Sequence, residues 1–193
     1  MRVAHNDSIP SVDDYRHAGA HGGSSAGKST IARAVQAALS TPFLTVGVDT
    51  LIDAMPPALS DDSTDAAGIV ITDDGRVLPG AEFRRLESGW YHGLAEMARA
   101  GVDIILDEVF LGGATSQARI RAAFDGLLIC WVAVRCDPMV AVAREATRGD
   151  RAVGMAARHA ESVHIGVSYD LQLDTSMTSA AECARQIVTV VES

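Results

Sequence analysis

Gly22-Gly23-Ser24-Ser25-Ala26-Gly27-Lys28-Ser29 is the stretch that decides the fold. It fits G-x-x-x-x-G-K-S/T, the spacing of a loop that cradles phosphates. Its glycines let backbone N–H groups turn inward around phosphate oxygens. A helix follows at once, from Lys28 to about Leu39, with Ile31, Val35, Ala38 and Leu39 recurring at helical spacing. Its N-terminus adds the positive end of a helix dipole. In such a loop Lys28 bridges the β- and γ-phosphates and Ser29 ligates Mg²⁺. The expected nucleotide-contacting residues are Gly22, Gly23, Ser24, Ser25, Ala26, Gly27, Lys28, Ser29 and Thr30. An accidental Gly/Ser linker is the competing reading, and the amphipathic helix directly after the loop argues against it.

A phosphate loop needs a buried strand in front of it. Asp14-Tyr15-Arg16-His17-Ala18-Gly19-Ala20-His21 stands there, neither apolar nor β-branched. The reading is a weak central strand over Tyr15 to Ala20, with a cost in stability.

Further along, Phe43 to Val48 reads as a short buried strand ended by Asp49, with a helix from Thr50 to Met55 stopped by Pro56-Pro57. Ser60 to Ala67 is acidic and loop-like. Ile69 to Thr72 and Arg76 to Leu78 flank Asp73-Asp74-Gly75 as a small hairpin. A long helix is expected from about Pro79 to Ala100, with Phe83, Leu86, Trp90, Leu94 and Met97 on its core face and Gly101 as its stop. Trp90 has a second reading, as the wall of a pocket for an aromatic substrate. Val102 to Leu106 is a strand ending at Asp107-Glu108, Gly112 to Phe124 a helix, and Leu127 to Val134 a continuous apolar strand. Pro138 to Thr147 and Arg151 to His164 read as helices, Tyr169 to Leu173 as a last strand, and Ala180 to Val191 as a closing helix. Continuous apolar strands alternating with helices imply a doubly wound α/β sheet covered on both faces. Ligands of such sheets bind at the carboxyl ends of the strands.

The residues of chemical interest fall at those ends. Asp49 has two readings, a general base that takes the proton of a substrate hydroxyl or an N-cap for the helix at Thr50. Asp53, one turn on, reads as surface. Asp107 ends an apolar strand and suits Mg²⁺, directly or through water. Glu108 reads as support behind the site, as a substrate contact or as a cap, and the spacing does not separate these. Arg144, Arg148 and Arg151 lie at spacings of four and three around Gly149. They suit a lid that clamps a transferring phosphoryl group, with Arg148 and Arg151 the better candidates and Arg144 paired with Glu145 or Asp150. The competing reading is a solvated charged face. The six histidines show no ligand spacing; His164 and Tyr169 read as core or surface, with an approach to the nucleotide from the last loop as the alternative.

The chain has 193 residues, enough for one domain with one core, with residues 1–14 as a polar extension that adds little to it. Sixteen basic against 25 acidic residues leave a net charge of −9, which argues against a nucleic-acid partner. Three cysteines at no metal-binding spacing suit a reducing compartment. Without an apolar leader or a membrane-length apolar run, the expectation is a cytoplasmic enzyme with no membrane contact.

Several longer strings resemble the chloramphenicol phosphotransferases. They are Gly22 to Ser29, Gly47-Val48-Asp49-Thr50-Leu51-Ile52-Asp53-Ala54-Met55-Pro56, Asp107-Glu108-Val109-Phe110-Leu111-Gly112-Gly113, Val134-Arg135-Cys136-Asp137 and Arg148-Gly149-Asp150-Arg151. Gly154-Met155-Ala156-Ala157 and Tyr169-Asp170 also match. The resemblance implies a P-loop NTPase fold with a five-stranded parallel sheet in the order 2-3-1-4-5. It implies ATP and Mg²⁺ as cofactors, chloramphenicol or a similar small alcohol as acceptor, and phosphorylation of a primary hydroxyl that inactivates the antibiotic. It implies Asp49 as base and Arg148 and Arg151 beside the phosphates, with Lys28, so that the expected catalytic set is Asp49, Lys28, Arg148 and Arg151. The family's apolar first strand and the Asn that opens its loop are replaced by Asp14 to His21, and the region from Ser60 through the hairpin differs. A kinase of the shikimate or gluconate kind and a nucleotide-binding regulator with a decayed site are the alternatives. A homo-oligomer is compatible with all three.

Overall fold

A strand made of His-Ala-Gly-Ala-His lies at the centre of the sheet because its neighbour supplies the bulk it lacks. Gly19 is in register with Trp131 on the next strand. A Cβ on Gly19 would lie 2.7 Å from the Trp131 ring. Indole therefore fills the space that a branched side chain takes in an ordinary central strand. All five strand residues are buried.

The computed structural model describes residues 15–60, 67–72, 76–148, 156, 159 and 162–192. Its elements are β1 (His17–His21), α1 (Lys28–Ala38), β2 (Phe43–Gly47), α2 (Val48–Ala54), α3 (Pro57–Ser60), β3 (Ile69–Ile71), β4 (Val77–Pro79), α4 (Ala81–Arg99), β5 (Asp103–Glu108), α5 (Ala114–Ala123), β6 (Ile129–Arg135), α6 (Pro138–Arg148), β7 (Leu171–Asp174) and α7 (Ala180–Val191). Five strands form one sheet in the order β2-β5-β1-β6-β7, and β3 and β4 pair separately. Every pairing in the large sheet is parallel. Counted among its own five strands, that order reads 2-3-1-4-5, since the hairpin takes two numbers. The hairpin is antiparallel, with Val70 opposite Leu78, and its turn, residues 73–75, lies outside the described residues.

The first strand is shifted from the Tyr15–Ala20 expectation. It begins at His17 and includes His21, because pairing with β5 and β6 continues to the edge of the phosphate loop. Alternation then divides the core. Ala18 and Ala20 pack with Ile31, Val35, Val132 and Ile187 beneath α1 and α7. On the opposite face Ile104, Leu106, Trp131, Leu94, Phe110 and Phe124 pack under α4 and α5. A third, smaller cluster of Leu51, Met55, Ile69 and Phe83 joins α2, the hairpin and α4.

The buried stripe of α4 differs from the expected one. It is Phe83, Glu87, Tyr91, Leu94, Ala95 and Ala98, whereas Met97 is 38% exposed. Reading only apolar residues rotated the helix, because Glu87 and Tyr91 are turned inward with polar ends. The helix expected over Arg151 to His164 lies mostly outside the described residues; Ala156, His159 and Ser162 are helical.

His21 closes β1 beneath the phosphate loop. Its Nδ1 accepts from the Phe110 N–H at 3.2 Å, which leaves Nε2–H to donate to the Val163 carbonyl at 3.1 Å. Its ring stacks on Phe110 at 4.0 Å between centroids. Burial holds its pKa down at about 3. His164, which meets the Tyr169 hydroxyl at 2.6 Å, is held at about 4, chiefly by burial and then by Arg135 and Lys28.

Two stability outcomes follow from this packing. Gly19→Val forces its methyls into the Trp131 ring and should cost roughly 1–3 kcal/mol in denaturant unfolding; Gly19→Val combined with Trp131→Leu should recover part of it. Both histidines are neutral when folded and take up protons on unfolding. Their stabilisation is complete above the unfolded pKa of about 6.5 and fades as pH falls toward 4 and 3. Unfolding midpoints should drop over that window, and His164→Gln should flatten the slope. An unchanged slope in that variant would refute the assignment.

Candidate active site

The phosphate loop is shaped by two left-handed residues, Ser25 at φ 58° and Gly27 at φ 94°. Gly22 has no room for a side chain, since a Cβ would meet the Val134 carbonyl at 2.2 Å. Lys28 begins α1, and its ammonium donates to the Gly23 carbonyl at 2.9 Å. The N-cap of α1 is Gly27, which makes no side-chain capping bond, and the N–H groups of a helix's first turn have no partner within the helix. The hydroxyls of Ser24 and Ser25 are buried without a hydrogen-bond partner among the described residues. Buried polar groups normally find partners. Amides, hydroxyls and an ammonium grouped in this way fit a chain of phosphate oxygens.

Asp107 is brought beside this loop by strand register. It pairs with Ala20 on one side and with Gly47 on the other. The approach on the Gly47 side is so close that a Cβ there would lie 1.9 Å from the Asp107 carbonyl. That contact ends β2 at Gly47, before the position expected. Asp49 therefore sits in the first turn of α2 rather than at a strand end, and Gly47 rather than Asp49 is the N-cap residue. The Thr50 hydroxyl accepts from the Gly47 N–H at 3.2 Å. With the capping reading removed, the exposed Asp49 carboxylate is on the cleft.

One cleft of about 510 Å³ brings Ser24, Ser25, Lys28, Ser29, Asp49 and Asp107 together. The donor set of Ser29 hydroxyl and Asp107 carboxylate is the hard-oxygen chemistry that suits Mg²⁺. Asp53, expected on the surface, lines the same cleft. Beyond the phosphate loop the walls turn apolar, with Val48, Ile52, Ile69, Val77 and Phe83. Phe83 and Tyr91 wall this half; Trp90 packs between the two core clusters of α4 instead.

Glu108 lies under the cleft floor, 1% exposed. It accepts from the Tyr91 hydroxyl through Oε2 at 2.9 Å. Burial pushes its carboxyl well above the usual range, with Asp107, Glu87 and Asp49 adding to the shift and Tyr91 opposing it. Glu108 is thus a buried floor residue and not a helix cap. Arg84 and Arg119 also line the cleft, held around Glu87. Sequence reasoning missed all three; the only available signal was the i, i+4 recurrence of Phe83, Glu87 and Tyr91.

Among the described residues Arg144 pairs with Thr175 and not with Glu145; Asp150 lies outside them. Arg144 donates to the Thr175 hydroxyl at 3.1 Å and carbonyl at 2.8 Å. Glu145 accepts instead from the Ala156 N–H at 2.8 Å. The Arg148 side chain, Gly149, Asp150 and Arg151 lie outside the described residues.

A family model described as chloramphenicol phosphotransferase-like protein matches residues 20–192. A Mycobacterium tuberculosis (strain ATCC 25618 / H37Rv) protein named "Putative O-phosphotransferase Rv2636" is 28% identical over 176 residues, covering 86% of this chain and 78% of that protein. A sugar kinase from Janibacter sp. HTCC2649 superposes with a TM-score of 0.62 at 19% identity, over 92% of this chain and 95% of that one. The Mycobacterium tuberculosis APS kinase CysC, in complex with AMPPNP and APS, gives a TM-score of 0.56 at 16% identity, over 93% and 99%. Those two likenesses establish the fold as that of the P-loop kinases. The family match spans nearly all of the described sheet and its helices, and the chain belongs to the chloramphenicol phosphotransferase-like family.

Proposed function

We propose that this chain is an ATP-dependent O-phosphotransferase whose acceptor is the primary hydroxyl of chloramphenicol or a similar small alcohol. The observation that carries this reading is one cleft lined by phosphate-loop donors, by Asp49 and by apolar walls. The family description supports the acceptor class.

In this reading Lys28 and the uncapped α1 amides hold the β- and γ-phosphates, joined by the Ser24 and Ser25 hydroxyls. Ser29 and Asp107 would hold Mg²⁺, and the ion would supply charge neutralisation at the phosphate oxygens. The acceptor hydroxyl lies against Asp49. Its proton passes to the Asp49 carboxylate as its oxygen bonds to the γ-phosphorus. The bond from that phosphorus to the bridging oxygen of ADP breaks, and ADP leaves with the electron pair. The phosphate ester and ADP depart, and Asp49 returns its proton to water. Arg148 and Arg151 complete the set as clamps on the transferring group, an assignment that stands on their spacing and the family resemblance.

A coupled ADP assay with chloramphenicol, shikimate and gluconate tests the reading. Turnover with chloramphenicol is expected. Asp49→Asn should lower kcat by roughly 10²–10⁴ while nucleotide binding, followed by calorimetry, is kept. Undiminished turnover in that variant would remove Asp49 from the mechanism. Lys28→Met should weaken ATP binding in the same titration, and a wild-type chain that binds no ATP with Mg²⁺ present would sink the kinase reading.

A further inference from the structure

The acceptor half of the cleft contains a charged group that the transfer chemistry does not use. Glu87 is 7% exposed. Arg84 Nη1 donates to its Oε1 at 3.0 Å and its Oε2 at 2.7 Å. Arg119 Nε stands 3.4 Å from the same Oε2. The Arg119 guanidinium is oriented from behind, donating to the Ser116 hydroxyl at 3.1 Å. Two guanidiniums from different helices therefore converge on one carboxylate, and all three residues line the cleft.

Two arginines in a pocket invite an acid. Here Glu87 already occupies the point where both are aimed. A ligand carboxylate would have to approach beside Glu87 and lose to it. The remaining charges act in the same direction. Leaving Glu108 aside, the cleft is lined by Asp49, Asp53, Glu87 and Asp107 against Lys28, Arg84 and Arg119. Val48, Ile52, Ile69, Val77 and Phe83 add apolar surface to that half. Burying a salt bridge there without a ligand role brings little net stability, but it excludes like charge at low cost.

We infer that Glu87 is a specificity-determining residue: by holding Arg84 and Arg119 it makes the acceptor half of the cleft select neutral hydroxyl compounds and reject hydroxy acids. The inference rests on that half being the acceptor site, as proposed above. It goes further in stating which charge the acceptor carries and which side chain enforces it. A neutral molecule with an apolar body and a polar group near Glu87 satisfies the wall, the carboxylate and both guanidiniums.

The experiment titrates mandelate and styrene glycol into the full chain, followed by NMR. The two share a phenyl ring and a secondary hydroxyl; one carries a carboxylate where the other has a hydroxymethyl group. Wild type should bind the glycol more tightly. Glu87→Gln frees both guanidiniums and should shift the acid-to-glycol affinity ratio toward the acid by roughly tenfold. Arg84→Gln, at a half-exposed position, should shift it the opposite way. A wild type that prefers the acid, or shows no binding of either probe, overturns the inference. So do variants that leave the ratio within about twofold. If Glu87→Gln does not fold, the Arg84→Gln ratio decides alone. Binding of these probes needs no phosphoryl transfer. A chain that fails the ADP assay yet shows this ordering loses only the kinase reading.

Discussion

The contact between Gly19 and the Trp131 ring is the constraint on which the rest of the structure depends. Without a side chain at Gly19, β1 can lie flat between β5 and β6 while indole occupies the layer above it. The register this sets places His21 beside Glu108 and Ala20 beside Asp107. The phosphate loop, leaving β1 one residue later, therefore emerges next to the acidic end of β5. A central strand with ordinary branched side chains would need a smaller residue at Trp131, and the α4–α5 face of the core would be packed differently.

The site can be understood as a problem of keeping charges apart at short range. Phosphate donors gather on the α1 side and carboxylates on the β2 and β5 side. Glu108, the acid closest to the core, has no solvent to stabilise its charge, and its raised pKa is the electrostatic answer to that burial. Glu87 reaches the opposite solution, with two guanidiniums at hand. Both acids reach the floor from regular elements, and Tyr91 links the two environments.

The phosphate loop, the alternation of strands and helices and the acids Asp107 and Glu108 at the end of β5 were all legible in the sequence, because each depends on local spacing. The length of β1 was less so. His17 and His21 look like surface residues until backbone partners are brought from far along the chain, Ile104 to His17 and Val163 and Phe110 to His21. Asp49 was found, but its place in α2 depends on the Gly47 approach to Asp107, a contact between distant residues. Asp53 belongs to the cleft for the same reason. The Glu87 group was hidden because apolar periodicity skips charged residues, and the carboxylate is buried beside Arg84 and Arg119. Arg144 was placed with near neighbours in sequence, whereas its partner Thr175 lies past β7.

That last bond has a consequence for the loop itself. The Thr175 hydroxyl, while held by Arg144, donates to the Ala26 carbonyl at 2.8 Å. Ala26 lies between the two left-handed residues Ser25 and Gly27. The brace therefore spans α6, the segment after β7 and the crest of the phosphate loop. The conformational entropy of bending Ser25 into that shape is spent when the chain folds. A phosphate chain bound there would meet a cradle already preorganised, and its binding free energy would go into contacts rather than into ordering the backbone.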